Sequence, residues 1–274
     1  MKESGTGFPL ASRSKRVKQT TKRVKQTTGE GDMSGEHATR ALVLAAGFGE
    51  RMRPLTDRLP KPLIRLGDRP LLDHVLDRLA EAGVTDAVVN VHYLADQIET
   101  HMRPRKTPRI TISDERGALL DTGGAVKKAL PLLRQAGFFV HNSDSVWIES
   151  GGSTLSRMIE AWRPEVMDSL LLLAPVASSL GYSGRGDFSL SETGEVRRRG
   201  RDETVPFVFA GVSINHPRLF ANCPDGPFSI NRVWDEALSK GRLAAIVHDG
   251  TWMHIGTPSA LQDAERCLNG LHAA

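Results

Sequence analysis

A chain of 274 residues, 39% apolar and 25% charged, is long enough to bury a substantial core as one large α/β domain or two small ones. No apolar run approaches the roughly 18 residues of a membrane span. No apolar stretch follows the early basic residues as a secretory signal would require, so membrane insertion and secretion are set aside. The net charge of +4 belongs to the tail: residues 1–40 carry nine Lys/Arg against four acids, a net of +5, which leaves the remainder at −1. The two cysteines, Cys223 and Cys267, have no metal-like spacing and suit a reduced, cytoplasmic setting.

Residues 1–40 hold few apolar side chains and no helical or strand period, and read as a disordered basic extension. They contain a perfect tandem heptapeptide, KRVKQTT at 15–21 and again at 22–28. A basic arm for nucleic acid is one reading. An unselected extension ahead of a start at Met33 is the simpler one. The domain proper is expected over 41–270, its two halves meeting near 150.

That domain opens on Ala41–Leu44, an apolar run that reads as a buried parallel strand. The turn Ala45-Ala46-Gly47-Phe48-Gly49 follows, then Arg51 and Arg53, then Lys61 between Pro60 and Pro62. A strand that ends in a loop of small residues and then delivers cations suits a polyphosphate. Backbone N–H groups approach the oxygens closely, and the cations offset charge that develops there. Two familiar loops are excluded: the dinucleotide fingerprint needs a third glycine where Met52 stands, and the Gly-Lys-Ser/Thr of a P-loop is absent.

Farther along, Pro70 and the spacing of Leu71, Leu72, Val75, Leu76 and Leu79 predict a helix that stops at Gly83. Strands are expected at Asp86–Val91, Arg109–Ser113 and Phe138–His141, and helices at Ala95–Met102 and 122–134. This alternation is the doubly wound α/β pattern, whose ligands bind beyond the carboxyl ends of the strands. The second half is less regular. Helix Ser153–Trp162 and strand Ser169–Pro175 come first, then a hairpin of Asp187–Leu190 with Glu195–Arg199, and strand Pro206–Ile214. A helix capped by Ser229, strands Leu243–Val247 and Thr251–Ile255, and a helix Pro258–Leu268 close the chain. The basic run from Arg197 to Arg201 reads as a solvated turn, and His74 and His92 as structural. No Ser-His-Asp or Cys-His arrangement has motif support.

Leu44-Ala45-Ala46-Gly47, Gly49, Arg51 and the later Pro60-Lys61-Pro62 together resemble the signature of the sugar-1-phosphate nucleotidylyltransferases, L-A-A-G-x-G-x-R followed by P-K-P. Four further stretches line up with that family. Leu120–Gly124 resembles the loop along base and ribose, with Thr122 and Gly123 in contact. Asn142-Ser143-Asp144 resembles the strand end whose aspartate holds Mg²⁺ at the α-phosphate, Asn142 touching nucleotide and sugar. A carboxylate in that position suits a hard cation, although an Asx turn would look the same. Gly184–Phe188 and Phe209–Ser213 fall where relatives contact the sugar, with Gly211 and with Asp187 as a hydroxyl acceptor. Trp252–Pro258 resembles W-x-D-[VI]-G-T, but His254 replaces the second metal-binding aspartate. The alternatives are Mg²⁺ held by Asp144, phosphate oxygens and water, Asp249 substituting for the missing aspartate, a softer metal, a phosphate contact by His254, or a strand-end histidine with no catalytic task.

The resemblance covers residues 41 to about 268. It implies a Rossmann-like, GT-A-like mixed sheet without the β-helix domain of some relatives, there being no hexapeptide repeats. It also implies Mg²⁺-dependent transfer of a nucleoside monophosphate from an NTP to a sugar 1-phosphate, releasing pyrophosphate. Arg51 would bind the triphosphate, Lys61 would offset charge at the reacting phosphate, and Asp144 would carry the metal. GERMRPLT, PKPL, LDTGG, GRGDF and HPRLF point within the family to the branch using UTP and N-acetylmuramic acid 1-phosphate in peptidoglycan recycling, hence a bacterial cytoplasm. GTP with mannose 1-phosphate is the alternative, and a non-catalytic sugar-nucleotide sensor a further one.

Overall fold

The computed structural model describes residues 38–133 and 137–272. The expected basic extension, with its heptapeptide duplication, lies outside the described residues apart from 38–40. In chain order the elements are β1 (Arg40–Leu44), β2 (Arg65–Leu66), β3 (Arg69–Pro70), α1 (Leu71–Glu81), β4 (Asp86–Val91), α2 (Ala95–Met102), β5 (Arg109–Asp114), α3 (Asp121–Leu133), β6 (Phe138–Asn142) and β7 (Ser145–Ile148). Then come α4 (Thr154–Ala161), β8 (Ser169–Pro175), β9 (Phe188–Leu190), β10 (Val196–Arg198), β11 (Phe207–Asn215), α5 (Asn231–Ser239), β12 (Leu243–Val247), β13 (Thr251–His254) and α6 (Pro258–His272).

The apolar runs become the middle of one nine-stranded sheet. β5, β4, β1 and β6 lie side by side and parallel. β11 runs antiparallel to β6, β8 antiparallel to β11, and β12 parallel to β8. The β9–β10 hairpin joins at Phe207. The sheet is therefore mixed, and it passes without a break through both halves expected from the sequence. The pleat sends alternate residues to opposite faces. From β1, Ala41 and Val43 enter a core built with α1, α2 and α4, while Leu42 enters one built with α3 and α5. Helices on both faces make the sheet doubly wound, as expected.

β7 was not apparent in the sequence. It pairs with β13 in a separate two-stranded ladder that sets Trp147 opposite Trp252. Below it Met52, Leu66, Val146, Met253, Ile255 and Ala264 form a third core with α6. The helix expected to be capped by Ser229 begins two residues later. Its N-cap is Ile230, without a side-chain cap, and the Ser229 hydroxyl accepts from Asn231 N at 3.3 Å.

Candidate active site

From β1 the chain leaves first to β4 and β5 on one side, then returns to β6 on the other. The carboxyl ends of β1 and β6 are therefore the switch point where such sheets hold ligands. A cleft of about 610 Å³ opens there. Leu44 stands between Asn90 of β4 and Asn142 of β6, and the loop after β1 lines the cleft from Ala45 to Arg51. The amides of Gly47, Phe48 and Gly49 donate to no acceptor among the described residues, which leaves them open to ligand oxygens. Gly49 has φ +66°, and a Cβ there would lie 2.9 Å from Thr56 Cγ2 and 3.0 Å from Lys61 Cβ. Only glycine lets the loop rest against Lys61 in that conformation. The buried Thr56 donates its hydroxyl to Gly49 O at 2.8 Å. Arg51 is exposed at the cleft with no side-chain partner among the described residues, whereas Arg53 pairs with Asp57 at 3.5 Å.

Two buried polar residues in the cleft wall escaped the sequence reading. Asn90 Oδ1 accepts from Ala45 N at 2.7 Å, and Asn90 Nδ2 donates to Glu115 Oε1 at 2.9 Å. Glu115 Oε2 accepts from Leu120 N at 3.1 Å. Both side chains are buried and both line the cleft, so the relay fixes the loop after β1 and the loop before α3 relative to each other. Ala45, expected among the nucleotide contacts, has its own amide spent on Asn90. His92 packs behind this wall, its Nδ1 2.7 Å from Glu115 O and its ring against Phe48.

Lys61 enters through a short turn, Lys61–Leu63, after Pro60. Its Nζ donates to Asp144 Oδ2 at 2.5 Å, and the two side chains are only 12% and 19% exposed. His254 Nε2 lies 3.4 Å from the same oxygen. Burial pushes the Asp144 carboxyl up, but hydrogen bonding to His254 and the charge of Lys61 outweigh it and hold the group well below the usual carboxylate range. Asp144 is therefore anionic at neutral pH. Ile255 N donates to Asp144 O at 3.0 Å, which docks the end of β13, and with it His254, beside the aspartate.

Two smaller pockets, of about 280 and 170 Å³, adjoin the cleft. Asn142 lines all three cavities, while Asp187 and Phe209 are shared by the smaller two. Asp187 Oδ2 accepts from Phe209 N at 3.0 Å. Gly211 sits where β11 slips register against β8 and lines the smallest pocket, together with Tyr182, Asp144 and His254. Phosphate-loop, metal and sugar candidates thus share one continuous depression.

Some expectations change. Thr122 lines the cleft, but Gly123 does not. The amides of Gly123 and Gly124 both donate to Phe228 O, at 2.8 and 3.2 Å, and a Cβ on Gly123 would fall 2.3 Å from the Phe228 ring. That glycine serves close packing against the loop before α5 rather than approach to a base. The arginine run is not uniformly solvated either: Arg197 forks onto Glu203, Arg199 donates to Gly186 O at 2.8 Å, and Arg198 lines the 280 Å³ pocket. Asp249, one suggested stand-in for the missing aspartate, pairs with Arg157 at 3.1 Å and lines none of these cavities.

Asp249 belongs instead to the one group of three metal-capable side chains found among the described residues, with Glu149 and His248. Their spacing would admit an ion, and His248 Nε2 is buried without a hydrogen-bond partner among the described residues, but both Glu149 oxygens are committed and Asp249 Oδ1 is taken by Arg157. Glu149 Oε1 accepts from Trp147 Nε1 at 2.7 Å, Thr154 N at 3.1 Å and Arg78 Nη1 at 3.3 Å, and Oε2 from Thr154 Oγ1 at 2.5 Å. With Arg78 and Arg157 already neutralising both carboxylates, this is an ion-pair cluster. No helix among the described residues is long and apolar enough to cross a membrane.

Residues 40–182 match the family described as nucleotidyl transferase. The N-acetylmuramate alpha-1-phosphate uridylyltransferase of Caulobacter vibrioides is 48% identical over 83% of this chain and 96% of its own length. A mannose-1-phosphate guanyltransferase beta-A of Xenopus laevis is more distant, 30% identical over 80% of this chain and 61% of its own. Among solved structures, HddC from Yersinia pseudotuberculosis complexed with GMP-PN superposes with a TM-score of 0.67 over 84% of this chain and 99% of that one. At 22% identity the likeness is one of fold.

Proposed function

The chain belongs to the nucleotidyl transferase family, and from that premise we propose that it transfers UMP from UTP to N-acetylmuramic acid 1-phosphate, yielding UDP-N-acetylmuramic acid and pyrophosphate. The observation that carries the reading is one cavity lined by the open loop at Gly47–Gly49, the unpaired Arg51 and the Lys61–Asp144 pair. The triphosphate lies along the loop, with Arg51 on the two phosphates that depart. An oxygen of the sugar phosphate attacks the α-phosphorus in line with the leaving oxygen, so one P–O bond forms as another breaks, without a covalent enzyme intermediate. Lys61 stands where charge grows on the α-phosphate. Catalysis is then alignment and charge neutralisation.

Members of this family generally use a divalent metal ion. Asp144 fits one: it is an ionised carboxylate just beyond a strand end, facing the cleft, and hard cations favour oxygen donors. His254 fits Mg²⁺ poorly, because imidazole suits later transition metals. We therefore assign Mg²⁺ to Asp144 and substrate phosphate oxygens, with His254 as a hydrogen-bond partner that orients Asp144. Bound there, the ion would supply positive charge at the α-phosphate.

UTP and the amino sugar acid are favoured because the nearer relative carries that name, while the guanylyl relative is farther in identity. The cytoplasm of a bacterium recycling peptidoglycan is the setting we infer. The test is pyrophosphate release from UTP or GTP with N-acetylmuramic acid 1-phosphate or mannose 1-phosphate. Turnover with the first of each pair is expected. Turnover only with GTP and mannose 1-phosphate overturns the substrate assignment, and UTP binding without any turnover would make the protein a sensor.

A further inference from the structure

One charged side chain of the depression has no part in phosphate chemistry. Among the described residues lining the two smaller pockets, Arg198 is the one Lys or Arg. Its neighbours are spent on the hairpin itself, Arg197 on Glu203 and Arg199 on Gly186 O. Strand geometry separates them: Val196 and Arg198 share the inward face of β10, and Arg197 points away.

Arg198 is braced from behind. Its Nε lies 2.6 Å from Asp235 Oδ1, close enough to pair in charge though not aligned as a hydrogen bond. Nη1 donates to Asn231 Oδ1 at 3.2 Å, and the guanidinium carbon sits 4.9 Å from the centroid of the Phe188 ring. A planar guanidinium held by an acid, an amide and an aromatic face is pre-oriented. Nη2 is nevertheless buried without a hydrogen-bond partner among the described residues. That nitrogen has almost no exposed surface, so the polar part of the 29% of the side chain left exposed is Nη1, whose second hydrogen a ligand oxygen in the pocket can accept.

The pocket around it has an apolar floor, with Val140, Phe188, Phe209 and Trp234, and it meets the smallest pocket at Asn142, Asp187 and Phe209. A sugar ring bound by Asn142 and Asp187 would lie at that junction, with its substituents directed into the pocket that Arg198 lines. The geometry points to Arg198, held by Asn231 and Asp235, as the group that reads a carboxylate carried on the sugar. N-acetylmuramic acid differs from N-acetylglucosamine by a lactyl ether, whose methyl group suits the apolar floor and whose carboxylate suits a guanidinium. Asp121 and Asp187 also line the pocket and oppose an anion, although each already accepts a backbone N–H, from Thr122 and Phe209. Arg198 is thus what turns a site suited to hydroxyl groups into one that admits an acid. The inference rests on the uridylyl transfer proposed above.

The test compares UTP-dependent pyrophosphate release with N-acetylmuramic acid 1-phosphate and with N-acetylglucosamine 1-phosphate, in wild type, Arg198→Ala and Arg198→Lys. Calorimetric binding of the two UDP-sugars to each protein is measured alongside. Wild type is expected to favour the muramic acid in kcat/KM by about tenfold or more, and Arg198→Ala to collapse that ratio through KM, since a site built to pair a polar group discriminates through it. Arg198→Lys, which keeps the cation without the fork, should recover part of the ratio and the binding preference. An alanine variant that keeps the wild-type ratio, or that loses both sugars equally while remaining folded, overturns the inference and leaves Arg198 as a brace between β10 and α5. Should Arg198→Ala not fold, equal binding of both UDP-sugars by wild type or by Arg198→Lys overturns it as well. Equal turnover of both sugars with UTP overturns this inference alone. Turnover confined to GTP and mannose 1-phosphate overturns the proposed function and this inference together.

Discussion

The phosphate side of the cleft and the sugar side are built by opposite means. Leu44 through Lys61 is a single stretch whose turns are fixed mainly by contacts inside it, Thr56 onto Gly49 and Gly49 against Lys61, with Asn90 of β4 anchoring Ala45 from outside. The sugar side borrows residues from β6, β7, the hairpin β9–β10, β11, the start of α5 and the end of β13. A site held mostly by its own segment changes chiefly when that segment does. A site assembled from six elements can be retuned one side chain at a time, as His254 at the end of β13 illustrates. Phosphate chemistry common to many substrates would then sit on the first kind of structure, and sugar choice on the second.

The largest expected effect breaks the phosphate side. Asp144→Asn should lower kcat by about 10²–10³-fold with either sugar phosphate, the cost typical of removing one group that stabilises transition-state charge, while UTP affinity changes little. Pyrophosphate release and equilibrium UTP binding measure the two quantities. A normal kcat would remove Asp144 from the chemistry. Next comes the Asn90–Glu115 relay, which ties two loops to one wall. Glu115→Ala leaves Asn90 Nδ2 and Leu120 N without their acceptor, and should cost about 2–3 kcal/mol in urea unfolding. It should also raise KM for UTP more than KM for the sugar phosphate. Equal rises would mean that the relay serves both sides.

That relay and the arginine run show where legibility ended. The loop after β1, the strand-end Asp144 and the helix–strand alternation could be read because each is encoded by near neighbours with a fixed spacing. Glu115 could not, because its burial depends on Asn90, twenty-five positions earlier. The available signal was Asn90 itself, a polar residue inside the otherwise apolar stretch Ala87–Val91. β7 was hidden because Ser145–Ile148 follows a turn at once and finds its partner in β13, far along the chain. Gly123 looked like a ligand-facing glycine, and only the Phe228 ring supplies its actual reason. Arg198 was absorbed into a charged run, although the two-residue period shared with Val196 marked it as inward-facing.

A smaller effect is expected on the sugar side. Asp187→Ala removes one polar partner from the junction of the two lesser pockets, together with the acceptor of Phe209 N. KM for the sugar phosphate should rise about tenfold, in proportion to one charge-assisted hydrogen bond, with KM for UTP nearly unchanged in the same initial-rate series. A matched rise in both constants would dissolve the division between the sides.

His141 tests whether the two sides also melt together, because it sits on β6 opposite Val43 of β1 and Val212 of β11. It is fully buried and stacked on Trp147, with Nδ1 2.8 Å from Asn142 O and Nε2 without a partner among the described residues. Burial pushes its pKa down to about 4 from 6.5. Between those values the unfolded chain binds a proton that the folded one refuses, so stability falls as pH drops below 6.5 and levels off near 4. From pH 7.5 to 5.5 the loss attributable to this group is about 1 kcal/mol, read from urea midpoints. His248, His74 and His216, also lowered by burial, act with the same sign, so His141→Gln should remove only part of the slope. With β6 shared, fluorescence from Trp147, stacked on His141, and from Trp234 in the 280 Å³ pocket should report one midpoint at every pH. Two midpoints that separate on acidification would mean that the halves of the cleft are held independently, and that the continuous sheet beneath them does not couple their stability.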